Sequence, residues 1–119
     1  MLNIEKVKNK DDTYLIEMTR GDSLILDLDL TQINGEPAEW EVEDQIFFLL
    51  SISFKGKKDY KLLIKKEVSK DTEILELTPS ETKDLVYDYD YNFQIRAQFA
   101  DGRVATIIEG KLRVKGEIE

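Results

Sequence analysis

The side chains that most often carry enzyme chemistry are absent from this chain. Its 119 residues include no histidine and no cysteine, which excludes Ser-His-Asp triads, thiol nucleophiles, disulfides and His- or Cys-ligated metal sites. Carboxylate, lysine, tyrosine and serine chemistry remains. Two candidate carboxylate pairs are Asp27 with Asp29 and Asp88 with Asp90. Neither pair has the spacing of an EF-hand calcium loop, and alternate residues of a strand share one face, so we expect solvated surface carboxylates. The sequence thus predicts no catalytic residue, no metal site and no cofactor.

The charge balance narrows the range of partners. Acidic residues number 25 against 17 basic ones, for a net charge of −8, which argues against nucleic acid and anionic membranes as partners. The longest apolar run, residues 46–50, is far shorter than the ~20 residues of a spanning helix. The N-terminus lacks the layout of a signal peptide. We expect one domain over residues 1–119, made and first folded in the cytoplasm.

Apolar and polar residues alternate along most of the chain, which predicts strands with one buried face. The clearest run covers residues 91–99, and residues 24–30 form another. Residues 45–54 are apolar on both faces, which indicates a central strand whose second face is partly covered. Gly110 interrupts residues 104–115, which predicts either two short strands or a bulge within one longer strand. Weaker candidates lie at residues 2–7, 14–19, 60–66 and 75–77.

Turn and cap signals complete the predicted architecture. Asp101-Gly102 is the best hairpin turn. Residues 79–85 predict one short helical turn, with Thr78 as a cap and Glu81 placed as in a capping box. About eight short strands at such spacing predict an all-β, antiparallel β-sandwich. An immunoglobulin-like version is favoured because a tyrosine after such a turn, Tyr91 or Tyr89, would bond back to upstream backbone; the alternative is that these are ordinary edge aromatics.

Two regions are candidates for binding a partner. Trp40 follows a proline-containing loop, so it is either a binding anchor or a plug for the end of the sandwich. Seven of the 17 basic residues lie between Lys55 and Lys70, and we select Lys55, Lys57, Lys58 and the interleaved Tyr60. Lysines of this kind protect hairpins and strand edges from unwanted pairing. They also make the charge bipolar, which would suit an acidic partner or a sister subunit.

The order and spacing of these segments carry a family resemblance. The segments are Arg20-Gly21-Asp22-Ser23-Leu24, Asn34-Gly35, Asp44-Gln45-Ile46-Phe47-Phe48, Leu75-Glu76-Leu77-Thr78-Pro79-Ser80-Glu81-Thr82, Tyr89-Asp90-Tyr91-Asn92-Phe93-Gln94-Ile95 and Asp101-Gly102-Arg103-Val104-Ala105-Thr106-Ile107-Ile108-Glu109-Gly110. This pattern resembles the small β-sandwich domains of phage and prophage tail or baseplate proteins from Gram-positive hosts, in particular the N-terminal domain of the baseplate upper protein. Gln94 departs from it, since the family often has an aspartate there, and the family usually continues into a fibre or receptor-binding segment where this sequence ends. The resemblance carries over no functional residues.

The resemblance implies a non-catalytic structural and assembly module in a virion or phage-like particle, made in the bacterial cytoplasm. Its expected partners are other tail or baseplate proteins, or itself as a homo-oligomer, with no nucleic acid and no membrane. The alternative is a surface or extracellular adhesion module that binds carbohydrate or protein through the Trp40 loop. A third class, an enzyme that uses carboxylates alone, would need two facing carboxylates in a deep pocket.

Overall fold

The computed structural model describes residues 2–4, 14–28, 32–33, 36–37, 40–52, 61–86 and 89–116. Over these residues the chain forms ten strands and one short helix. They are β1 (Leu2–Asn3), β2 (Tyr14–Thr19), β3 (Leu24–Asp27), β4 (Gln32–Ile33), β5 (Glu36–Pro37), β6 (Gln45–Ser51), β7 (Leu62–Val68), β8 (Ile74–Leu77), α1 (Pro79–Thr82), β9 (Tyr89–Gln98) and β10 (Val104–Lys115).

The strands form a β-sandwich-like fold, which confirms the predicted all-β class. A five-stranded sheet has the order β2-β10-β9-β6-β7, a three-stranded sheet has the order β1-β3-β8, and β4 and β5 form a small hairpin sheet. The expectation of purely antiparallel sheets was wrong, because β2 runs parallel to β10 and β1 runs parallel to β3. A parallel pair needs a long connection between its strands, and most of the chain separates β2 from β10.

The core lies between the two larger sheets and follows the predicted alternation. The predicted core residues that are buried are Leu24, Leu26, Leu28, Phe48, Leu50, Tyr91, Phe93 and Ile95. The rings of Phe48 and Phe93 stack with their centroids 6.0 Å apart. Phe99 is the exception, because β9 ends at Gln98 and Phe99 is only partly buried at the end of the sandwich. Leu30, at the end of its predicted strand, lies outside the described residues.

Gly110 does not interrupt the last strand. β10 is continuous, and its register shifts at Ile107, between Thr106 and Ile108, rather than at the glycine. A Cβ on Gly110 would lie 2.5 Å from the carbonyl oxygen of Tyr14 and 2.8 Å from the Phe93 ring. The glycine is therefore needed for the close approach of neighbouring groups, which is the other common reason for a glycine inside a strand.

The predicted helical turn is present but shorter than expected. α1 ends at Thr82 rather than at residue 85, and the carboxylate of Glu81 accepts a hydrogen bond from the Thr78 backbone N–H at 2.9 Å. Beyond it, the hydroxyl of Tyr91 accepts a hydrogen bond from the Val86 backbone N–H at 2.8 Å. The predicted tyrosine back-bond is thus confirmed, and Tyr91 makes it.

Two strands have boundaries that differ from the prediction. β6 ends at Ser51, and Phe54 lies outside the described residues. β7 starts at Leu62 rather than at residue 60, and its register with β6 shifts between Leu50 and Ser51. This irregularity pairs Leu62 with Ser51 on the outer face, while Ile64 pairs with the buried Leu50. A local bulge re-aims side chains in this way, and single-sequence alternation does not reveal it.

Candidate functional site

Three connections meet at one end of the sandwich, and we call residues 40–44, 69–73 and 99–103 the tip. The first leads into β6, the second joins β7 to β8, and the third joins β9 to β10. Antiparallel strands place these connections at the same end. The third is the predicted hairpin: the Phe99 N–H donates to the Arg103 carbonyl at 2.8 Å, and Gly102 takes a φ of +93°.

Asp44 joins two of these connections. Its side chain is only 5% exposed. One carboxylate oxygen accepts a hydrogen bond from the Glu41 backbone N–H, and the other accepts one from the Ala100 backbone N–H, each at 2.8 Å. Hydrogen bonds to a charged acceptor are stronger than neutral ones, so this carboxylate fixes the first connection to the third.

The second connection is tied to the first by Lys70 and Glu73. The Lys70 ammonium donates to the carbonyl oxygens of Val42 and Asp44, the latter at 2.9 Å. Glu73 adopts a left-handed backbone with φ of +55°, which is uncommon for a residue other than glycine. Its backbone N–H donates to the Ser69 carbonyl at 2.7 Å, and its carbonyl accepts from the Leu28 N–H at 2.9 Å. Both bonds hold the turn in this conformation.

Trp40 is part of the same network. Its ring stacks on Phe99 with 6.1 Å between centroids and 14° between planes. Its indole N–H donates to the Glu73 carboxylate at 3.2 Å. The ring is partly buried and packs against the core. Both contacts close the end of the sandwich, and the solvent-exposed groups of the tip lie on neighbouring residues.

The exposed part of the tip is mainly acidic and includes one large apolar residue. Val42 is 92% exposed, and Glu41 and Glu43 flank it on the same connection. Asp101 is also exposed, and its hydrogen bond from the Arg103 backbone N–H, together with the Arg103 guanidinium, lowers the pKa of its carboxyl. The tip therefore presents several carboxylates and one large apolar side chain.

The predicted lysine cluster does not form one patch over the residues that the structure describes. Lys70 belongs to the tip, Lys66 forms an ion pair with Glu81 at 2.8 Å, and the Lys65 ammonium lies 4.8 Å from the centre of the Phe47 ring. Lys65 and Lys66 lie on β7, which is an edge strand of its sheet, and Lys70 comes just after this strand. The predicted partner-binding residues Lys55, Lys57, Lys58 and Tyr60 lie outside the described residues. Ile52 and Lys61, which flank them and share a backbone hydrogen bond of 3.1 Å, lie at the end of the sheet opposite Trp40.

The outer face of the five-stranded sheet is the second notable surface. Phe47 and Leu49 lie on β6, the strand next to the edge strand β7, and point away from the buried Ile46, Phe48 and Leu50. They are partly exposed. Leu62, paired with Ser51 on the same face, is 41% exposed. We call Phe47, Leu49 and Leu62 the outer-face patch.

Charged residues flank this patch. In the row of paired residues that includes Phe47, Arg96 lies on one side and Glu67 on the other. Among the described residues, neither of the two forms an ion pair, and the Nε of Arg96 is buried without a hydrogen-bond partner. The outer-face patch thus has one positive and one negative neighbour that the described part of the chain does not pair.

The structure describes one member of each carboxylate pair that was singled out from the sequence, Asp90 and Asp27. Asp90 accepts hydrogen bonds from Arg113 at 2.9 and 3.2 Å, and Arg113 also lies 3.6 Å from Glu17. The Arg113 hydrogen bond lowers the pKa of Asp90. Asp27 is partly buried on β3, and Asp29 and Asp88 lie outside the described residues. No cluster of three potential metal ligands occurs within the described ranges.

Sequence reasoning missed the residues that organise the tip. The sequence did not predict the joining roles of Asp44, Lys70 and Glu73, because each connects to residues distant in sequence; Asp44 and Ala100 are separated by 56 positions. One local signal was available for Asp44. An aspartate placed just before an apolar strand often accepts a hydrogen bond from nearby backbone, as this one does from Glu41 three residues earlier.

The comparisons with known proteins give no family. No protein-family model matches the chain, and no curated protein is similar to it. No helix in the described part of the chain is long and apolar enough to cross a membrane.

Proposed function

We propose that this chain is a non-catalytic structural module that assembles into a phage or prophage tail or baseplate-like particle. The observation that carries the proposal is the tip, where Asp44, Lys70 and the Trp40–Glu73 hydrogen bond tie three connections into one surface. A surface held in place before binding loses little conformational entropy when a partner docks. The order of the strand and turn segments supports the choice of particle.

We also propose that the β-sandwich-like fold is immunoglobulin-like. This assignment is supported by α1, which lies between β8 and β9, and by the Tyr91 hydroxyl that accepts the Val86 N–H at 2.8 Å, since such a tyrosine corner marks many immunoglobulin-like sandwiches. The tip would then be one of the two loop ends that these sandwiches use for binding. The parallel pairing of β1 with β3 departs from this arrangement.

Particle association tests the proposed function. Phage-like particles would be induced from the bacterium that encodes this chain, purified on a density gradient and probed with an antibody against the chain. We expect the chain to co-sediment with intact particles at constant stoichiometry. Its absence from purified particles, with the chain present in the same lysate, would refute the proposal.

A matched pair of variants tests whether the tip is the docking surface. Val42→Lys changes the most exposed apolar residue of the tip, and Val86→Lys makes the same change at a residue that is 58% exposed near α1. Both residues are at the surface, so we expect both variants to fold. Val42→Lys should reduce incorporation into particles at least tenfold, and Val86→Lys should leave it unchanged. Equal incorporation of the two variants would exclude the tip as the docking surface.

The second candidate function is an adhesion module that binds carbohydrate or protein through the Trp40 loop. The exposure of Val42 on that loop favours it. The two functions differ in fluorescence, because Trp40 is the only tryptophan and its ring stacks on Phe99 within the tip. Saturable quenching or a spectral shift on adding a glycan or peptide, in a chain that does not sediment with particles, would favour adhesion.

A further inference from the structure

The outer face of the five-stranded sheet is unusual for a surface. Side chains on a strand alternate between two faces, so a strand with one wet face usually carries polar residues there. On β6 the outward positions include Phe47 and Leu49, and neither belongs to the hydrophobic core or to the side chains packed against it. Leu62 extends the same apolar surface on β7. An apolar group on this face is consistent with burial against another molecule.

The arrangement of charges around the patch indicates which molecule covers it. The row of paired residues that includes Phe47 has Arg96 on β9 and Glu67 on β7. A two-fold axis that runs along β6, in the plane between two facing copies, places β6 over β6 and exchanges its neighbours. β9 of one copy then faces β7 of the other. Arg96 meets Glu67 of the second copy, and the same contact occurs twice, as a two-fold interface requires.

The next row is also compatible with this arrangement. Gln94 and Lys65 flank Leu49, so the same axis places an amide opposite an ammonium group. No like charges meet in either row. Two facing sheets pack with their strands aligned within roughly 30°, which keeps the rows in register near the centre of the patch.

We propose that this chain forms a two-fold dimer through the outer face of its five-stranded sheet, with the outer-face patch at the centre and reciprocal Arg96–Glu67 ion pairs beside it. The dimer deepens the proposed assembly function and rests on it for its biological role. With β6 over β6, the strands that face each other are β9, β6 and β7 of each copy, because β6 is the second strand from the edge of the sheet. Three strands spaced ~4.8 Å apart and about seven residues long cover roughly 350 Å² in each copy. Two such faces are smaller than most specific interfaces, so the dimer is weak and depends on concentration.

Charge reversal tests the geometry directly. Glu67→Arg places two arginines opposite each other at both contacts, and Arg96→Glu places two glutamates there. Each single variant should therefore be monomeric. An equimolar mixture of the two restores an arginine opposite a glutamate at both contacts, so the mixture should dimerise. Glu76→Arg, an exposed charge reversal on β8 of the other sheet, is the matched control and should behave as the wild type.

Sedimentation velocity gives the readout, between about 5 µM and about 1 mM protein, a range that spans weak affinities. The wild type and Glu76→Arg should shift from 13.8 kDa towards twice that mass, and each single variant should need at least a tenfold higher concentration. Circular dichroism confirms that every variant is folded. A wild type that stays monomeric throughout would overturn the dimer, and so would a mixture that dimerises no better than its components. Either result would overturn the dimer without overturning the proposed function, because particle incorporation is tested separately, with the Val42→Lys variant of the tip.

Discussion

Replacing Asp44 with alanine is the most direct perturbation of the tip. The substitution removes both carboxylate oxygens, which accept the backbone N–H groups of Glu41 and Ala100 at 2.8 Å. A hydrogen bond to a charged group contributes about 1.5–3 kcal/mol. Glu41 and Ala100 are themselves exposed, so water can replace part of each bond. We therefore expect a total loss near the low end of two such bonds, about 2–3 kcal/mol in the free energy of unfolding.

Urea unfolding followed by tryptophan fluorescence measures this loss. Trp40 is the only tryptophan and stacks on Phe99, next to Ala100, so its emission reports on the tip as well as on global unfolding. Asp44→Asn retains one acceptor oxygen and should lose about half as much stability, roughly 1–1.5 kcal/mol. Glu43→Ala is the control, because this neighbour is exposed, and it should change stability by less than about 0.5 kcal/mol.

The native-state spectrum gives a second readout. Without the Asp44 carboxylate, the first and third connections are less firmly joined, and we expect red-shifted Trp40 emission before any unfolding. If Asp44→Ala cost less than about 0.5 kcal/mol and left the emission unchanged, the argument that this carboxylate organises the tip would be wrong.

Three further predictions follow from other parts of the fold. Phe93→Ala leaves a cavity in the centre of the core and should cost ~3–5 kcal/mol; a loss below about 1 kcal/mol in urea melts would contradict the placement of Phe93. Gly110→Ala forces a methyl group to within 2.5 Å of the Tyr14 carbonyl oxygen. Overpacking of this kind should cost at least about 1–3 kcal/mol in the free energy of unfolding. Unchanged stability would contradict this close approach. The Lys66 ion pair and the Thr78 backbone N–H lower the pKa of Glu81 below its ordinary value of 4.5. The ionised Glu81 side chain therefore stabilises the fold fully above pH 4.5, and this contribution is lost as the pH falls through the lowered folded-state pKa. Glu81→Gln should lower the free energy of unfolding by less than about 1 kcal/mol, because the pair is partly exposed. This difference from the wild type should shrink as the pH is lowered. A difference that stays constant with pH would show that the ion pair does not cause it.

The parts of the fold that were predictable from the sequence are those specified by local patterns. Alternation in β3 and β9 identified their buried faces, because the two-residue period of a strand depends only on its own residues. Thr78 and Glu81 located α1, and the Asp101-Gly102 turn located the last hairpin, since both depend on backbone preferences over a few residues.

The parts that were not predictable depend on contacts between distant residues. A glycine within a strand indicates either a bulge or a close approach, and only the positions of Tyr14 and Phe93 show which applies to Gly110. The parallel pairing of β2 with β10 has no local signature. The same limit applies to the candidate site. Trp40 was a candidate because it follows a proline-containing loop, but its partners Glu73 and Phe99 and the joining role of Asp44 come only from the folded chain.

The two proposed surfaces are compatible in one molecule, and their geometry gives the dimer a specific use. The tip lies at the ends of the strands, whereas the outer-face patch lies on a sheet face. A two-fold axis that runs along β6 leaves the strand direction unchanged, so both tips of a dimer point the same way. In the proposed assembly, two tips side by side would bind a repetitive particle surface through two contacts, and a linked pair of weak contacts can exceed either one by 10²–10⁴ in overall affinity. Glu67→Arg, which changes no residue of the tip, should therefore weaken particle binding while leaving the affinity of a single tip unchanged. If this variant bound particles as well as the wild type, the two surfaces would act independently.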